Sequence, residues 1–166
     1  MYPSGNKWRK PALVSVLAMF LCLVPFCGIA GTPADGVLSA YIVGTYDNGR
    51  DSLSTVIQVI NPTYTALEII AYFFDADENF LRCVRTKLSH DDMVEIAVQK
   101  LELKAEAGVV KIVAFKPGTT TPQIGIVGYK RTFVLKTFAA ETVLHQVPVS
   151  VLMRELPGLL KSCPAK

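Results

Sequence analysis

Three short clusters in this chain carry side chains that could do chemistry. Asp75, Asp77 and Asn79 reproduce the opening of a calcium-binding loop, D-x-D-x-N, in which alternate residues turn oxygens toward one cation. Such a loop also needs Gly at its sixth position for the sharp turn and a bidentate Glu at its twelfth, where this sequence has Phe80 and Thr86. A solvated hairpin turn is therefore the favoured reading, and a weak calcium site on Asp75 and Asp77 the lesser one. His90, Asp91 and Asp92 set an imidazole beside two carboxylates, which suits a metal ligand or a proton carrier. The other histidine, His145, is the one that could join them, and no Cys-x-x-Cys or His-x-x-x-His spacing accompanies it. A polar turn is favoured over a metal site.

The third cluster centres on Cys83, which sits between Arg82 and Arg85. Neighbouring guanidinium groups favour a thiolate, and pairing with His90 or His145 would make a nucleophile. A strand residue, however, turns its side chain toward a core or into a disulfide, and no Gly-x-Ser-x-Gly elbow is present. No catalytic residue, cofactor or metal is assigned, and the chain is read as a non-enzyme. Tyr129, Lys130, Arg131 and Phe133 interleave bases with aromatics, as single-strand binders and carbohydrate platforms do. Strand alternation puts Tyr129, Arg131 and Phe133 on one face and Lys130 on the other, so a half-buried strand with snorkelling cations is preferred.

The elements that must position these groups begin after an export leader. Lys7, Arg9 and Lys10 precede an uncharged run over 12–30 that closes on Gly28-Ile29-Ala30. A positive start, an apolar stretch and small residues at its end are the layout that signal peptidases recognise, with cleavage expected between Ala30 and Gly31. The run is short for a bilayer span and contains Pro25, which favours cleavage over an anchor. Residues 1–30 are thus read as a signal peptide and 31–166 as one domain. Removing the three leader cations takes Lys plus Arg from 17 to 14, equal to the 14 acidic residues, so the net charge of +3 vanishes. A neutral domain has no overall field for nucleic acid or an anionic membrane, and nucleic-acid binding is disfavoured.

Of the 4 cysteines, Cys83 and Cys163 survive processing, and an oxidising compartment invites a single bridge between them. Closing a loop of that size stabilises by roughly 4 kcal/mol on chain-entropy grounds. The alternative is a buried free Cys83 and a loose tail thiol.

Short β-branched and aromatic runs separated by turn residues predict an all-β fold. Strands are expected over 37–46, 54–60, 66–74, 80–88, 93–98, 109–115 and 123–134. A tight Asn48-Gly49 turn follows the first, and Asn61-Pro62-Thr63 stops the second, because Pro62 has no amide hydrogen for a ladder. A hairpin is expected from these signals. The third run is apolar on both faces apart from Glu68 and reads as a central strand. Gly125 and Gly128 mark a bulge or close packing. Residues 142–147 suit an eighth strand. Residues 149–156 carry helical spacing, with Pro148 at the start and Pro157 as a stop. Seven strands suit a single immunoglobulin-like antiparallel β-sandwich with a short C-terminal helix.

The stretch 54–95, with its strand, Asn-Pro-Thr stop, apolar third strand, acidic turn and following strand pair, resembles modules of bacterial exported immunoglobulin-like domains. It is also loosely similar to the small β-sandwich family of sensory-rhodopsin transducers. The likeness covers about a third of the mature chain and implies a fold rather than a mechanism. Two functional expectations follow. The first is a secreted or periplasmic non-catalytic module that contacts a protein or a cell-surface polymer through a sheet edge or end loops, and touches a membrane only if the leader is retained. The second is a small extracytoplasmic ligand- or metal-binding domain with its site near Asp75, Asp77, His90 and Asp91.

Overall fold

The computed structural model describes residues 38–49 and 53–163. The leader, the Ala30 and Gly31 junction, and residues 50–52 at the end of the first polar turn lie outside them. The described residues form nine strands: β1 (Tyr41–Asp47), β2 (Leu53–Asn61), β3 (Leu67–Asp75), β4 (Phe80–Leu88), β5 (Asp92–Ala97), β6 (Ala107–Phe115), β7 (Val127–Val134), β8 (Thr137–Val143) and β9 (His145–Gln146). One helix, α1 (Val149–Ser162), follows. The strands form a five-stranded sheet in the order β4-β3-β6-β1-β9 and a four-stranded sheet in the order β5-β2-β7-β8. Every pairing between these strands is antiparallel. The fold is an all-β sandwich with one C-terminal helix.

Two cores explain the burial pattern. Alternation along β3 sends Leu67, Ile69, Ala71 and Phe73 between the sheets, where they meet Ile57 and Val59 of β2 and Ile112 of β6. The intervening Ile70 and Tyr72 point the other way, against Leu152, Leu156 and Leu159 of α1. Covered on both sides, β3 is buried from Leu67 to Phe73, as a central strand must be. Each of the three helix leucines gains about 2 kcal/mol from its burial. Cys83 of β4 is bridged to Cys163 just beyond the helix, with Cα atoms 6.2 Å apart, so α1 is tied covalently to the sheet it covers. Glu155 adds a polar tie: its Oε2 accepts from Tyr41 Oη at 2.7 Å and from Lys111 Nζ at 2.8 Å.

Several sequence expectations are corrected. The hairpin expected of the first strands does not form, because β1 pairs with β6 and β9 while β2 pairs with β5 and β7 in the other sheet. The immunoglobulin constant arrangement keeps its first two strands in one sheet, so this sandwich has its own strand order. Hairpins occur instead at β3–β4 and β7–β8. Pro157 does not stop the helix, which runs through it to Ser162. A proline inside a helix costs about 3 kcal/mol, and burial of Leu156 and Leu159 with the Cys163 bridge offsets that cost. The seventh strand starts at Val127, since the backbone of Gly125 and Ile126 bonds instead to Ser39.

Gly128 marks close packing. A methyl there would collide with Ile42 Cδ1 and lie 2.8 Å from Leu144 Cδ1. Leu144 is the residue by which the chain passes from β8 in one sheet to β9 in the other, and it is buried in the inter-sheet core. Asn61 proves to be more than a strand stop. Its Nδ2 donates to the carbonyls of Thr65 at 2.8 Å and Ser89 at 2.6 Å, and its Oδ1 accepts from Thr63, so one buried amide joins two loops.

Candidate functional site

The residues singled out from sequence are placed in turns, at the edges of the five-stranded sheet and on the inner strand β7, and they do not converge. Asp75 and Asp77 lie in the β3–β4 turn. Asp75 Oδ1 accepts from the amides of Asp77 at 2.9 Å and Asn79 at 2.8 Å, and Oδ2 accepts from Asn79 Nδ2 at 3.0 Å. These bonds, led by that from the Asn79 side chain, hold the Asp75 carboxyl below its ordinary range. Its oxygens serve the turn that carries them.

His90 and Asp91 lie in the β4–β5 turn, both largely exposed, with Nδ1 and Oδ2 3.8 Å apart. Asp92 accepts from the amides of Ser89 and Met93. The whole of β4 separates this turn from Asp75 and Asp77, which at about 3.4 Å per residue is roughly 27 Å. His145 sits on β9, at the opposite edge of the sheet from β4, four strand spacings or about 19 Å away. The joint site expected near Asp75, Asp77, His90 and Asp91 is therefore not assembled. Among the described residues, no three His, Cys, Asp or Glu side chains are grouped as metal ligands. Cys83 is half of the disulfide.

The basic and aromatic run on β7 divides as alternation requires. Lys130 reaches between the sheets to Thr45 Oγ1 at 3.1 Å and Asp47 Oδ2 at 3.4 Å. Arg131 lies on the outer face, donating to Glu141 at 2.6 Å and to Glu95 at 3.1 Å. That face of the four-stranded sheet has no element over it among the described residues. Met93 (49 % exposed), Phe138 (56 %) and Val143 (47 %) are open to solvent there, around the Glu95–Arg131–Glu141 cluster. Gln58 lies beneath, donating to Met93 Sδ, and Phe133 packs edge-on against Phe138 with ring centres 6.0 Å apart.

The face extends into the β7–β8 hairpin, whose two turn residues, Leu135 and Lys136, have φ of 48° and 67°. Positive φ at both centres is the geometry of a type I′ turn, which Asn and Gly adopt without penalty and Leu does not. Leu135 is nonetheless 71 % exposed. Sequence reasoning missed this hairpin because neither turn residue is Gly, Asn or Asp and β8 holds two alanines. The one available signal was the apolar trio Val134, Leu135 and Phe138 bracketing a lysine.

A second concave feature lies on the covered side. Where α1 ends, a trough of about 1280 Å³ runs along β4, bounded by the helix end, the 118–121 loop and the disulfide. Its floor is apolar, with Ile70, Phe115 and Leu160, and its rim carries Arg82, Arg85 and Lys87 against one acid, Glu68. Glu68 is already engaged twice, by Arg85 Nη1 at 3.0 Å and by the amide of Gly118 at 3.2 Å. Arg82 donates to the Leu101 carbonyl at 2.7 Å. Lys87 makes no hydrogen bond or ion pair among the described residues. Tyr72, opposite Cys83 across the β3–β4 pair, buries a hydroxyl that has no partner there. Burial pushes that hydroxyl up to about 12, against the lowering charge of Arg85. In the sequence Arg82 and Arg85 stand out only as neighbours of Cys83.

No family model matches the chain, and no curated protein matches it. Among solved structures, it is similar to the crystal structure of Thermotoga maritima 1070, with a TM-score of 0.49 and 12% identity over 68% of this chain and 97% of that one.

Proposed function

We propose that this chain is an exported, non-catalytic interaction module that meets a protein partner with the outer face of its four-stranded sheet and the tip of the β7–β8 hairpin. The observation that carries the reading is the set of open apolar side chains, Met93 on one edge strand and Phe138 and Val143 on the other, that flank the Glu95–Arg131–Glu141 cluster, with Leu135 exposed at the hairpin tip. Four strands of this length offer a face of about 20 Å by 25 Å, and with the hairpin this approaches the roughly 800 Å² per partner of a standard interface. Arg131 is flanked by Glu95 and Glu141, so the cluster keeps one negative charge in excess and the surface suits an apolar-rich partner with a weakly basic centre. Export is supported by the leader layout and by a disulfide that an oxidising compartment preserves.

The test is immobilised wild-type protein beside the Met93→Ser/Val143→Thr variant, challenged with extracytoplasmic extract, with light scattering to detect self-association. A protein retained by wild type and lost from the variant, at unchanged melting temperature, is expected. Equal retention by both overturns the assignment of the face. Self-association abolished by the variant would identify the partner as a second copy, and retention of polysaccharide alone would overturn the protein partner.

A further inference from the structure

The trough along β4 combines features that a purely structural groove does not need. Its volume of about 1280 Å³ exceeds the usual 300–1,000 Å³ of small-ligand pockets. From Phe80 to Lys87 it follows seven residue rises of an extended strand, about 24 Å, so it fits a long, narrow molecule rather than a compact one. Ile70 and Phe115 close the floor from below and are almost wholly buried, so the apolar surface open to a ligand is that of Phe80 and Leu160, which offers contact but no hydrogen bond to an apolar chain.

The polar groups gather on the rim and have one sign. Glu68 is the single acid and has each of its oxygens engaged, one by Arg85 and one by the Gly118 amide, while the further N–H groups of Arg85 and the whole ammonium of Lys87 remain for a ligand. Lys87 stands directly opposite Glu68 across the β3–β4 pair, one strand step from Arg85 on the same face. Two cations side by side above an apolar floor are complementary to a carboxylate at the end of a hydrocarbon chain.

We propose that this trough binds a long-chain carboxylate, its chain lying along β4 against Leu160 and Phe80 and its head group held by Lys87 and Arg85. The site is on the opposite side of the sandwich from the bare sheet face and stands independently of that reading.

The experiment is calorimetric titration of the protein with dodecanoate, dodecanol and dodecyltrimethylammonium, each below its aggregation threshold, and with phosphatidylglycerol vesicles. Dodecanoate is expected to bind roughly tenfold or more tightly than the uncharged alcohol and to displace it, with no binding of the cation. Lys87→Ala should weaken dodecanoate about tenfold and leave dodecanol unchanged, while Lys87→Arg stays within about threefold. Lys87 is exposed and unpartnered, so these variants fold as wild type does. Equal affinity for acid and alcohol, full binding by Lys87→Ala, or binding to vesicles without binding of the monomeric acid would each overturn the proposal.

Discussion

On the outer side of the five-stranded sheet, Ile70, Tyr72, Val113 and Phe115 lie under the leucines of α1, whereas on the four-stranded sheet Met93, Phe138 and Val143 face solvent. The covered side carries two ion pairs, Lys111–Glu155 beside the helix and Glu68–Arg85 in the trough, both at the flanks of an apolar contact, and a disulfide holds the cover in place. The open side sets a charge cluster, Glu95–Arg131–Glu141, in its middle. The difference follows from desolvation. A surface sealed once and permanently gains most from uninterrupted apolar area, because a buried ion pair seldom repays its desolvation. A surface left open to water keeps polar groups that satisfy one another.

This contrast can be broken from the covered side first. The Cys83→Ser/Cys163→Ser variant should lose roughly 4 kcal/mol, a fall of about 10–15 °C in melting temperature, and reductant should do the same to wild type but not to the variant. An equal melting temperature with and without reductant would mean that the helix needs no tether. Leu152→Ala removes a fully buried helix anchor and should cost about 3 kcal/mol in urea unfolding. A loss under 0.5 kcal/mol would place the helix loosely on the sheet.

On the open side the effect should reverse. Leu135→Asn with Lys136→Gly supplies the residues that a type I′ turn prefers, and should raise stability by about 1–2 kcal/mol while weakening partner capture. If it stabilises and capture is unchanged, the hairpin tip plays no part in binding.

The smallest effect concerns acid. Burial alone would raise the Glu155 carboxyl, but hydrogen bonds from Lys111 and Tyr41 with the Lys111 charge more than offset it, and the carboxyl lies below its ordinary 4.5. A depressed folded value stabilises the protein above the unfolded value and is lost as pH falls through the folded one. Wild type should therefore lose up to about 1 kcal/mol more than Glu155→Gln as pH drops below 4.5, the pair being partly screened by solvent. Parallel stability curves for the two proteins would show that this tie contributes nothing.

The sandwich was legible because its strands announce themselves: β3 by an apolar run readable only as covered on both sides, β4 by polar turns at either end. The disulfide was half legible, since composition and compartment name the two cysteines and only the path of α1 brings them within reach. The strand order was not legible, because which sheet a strand joins depends on pairings between residues far apart in the chain, such as Tyr41 with Val113. Pro157 misled for a related reason: its local cost is real, and a tertiary anchor six residues later outweighs it. The trough escaped notice because its walls come from β3, β4, β6, a loop and the helix end, and no contiguous segment contains them.

Because Cys83 and Cys163 enclose 80 positions of chain, a protease that nicks the exposed threonine loop at 119–121 would leave both halves on one covalent thread. The severed domain would migrate as intact on a non-reducing gel, and only reductant would reveal the cut. Wherever hydrolases reach it, such a molecule can be damaged in sequence and still remain whole in shape.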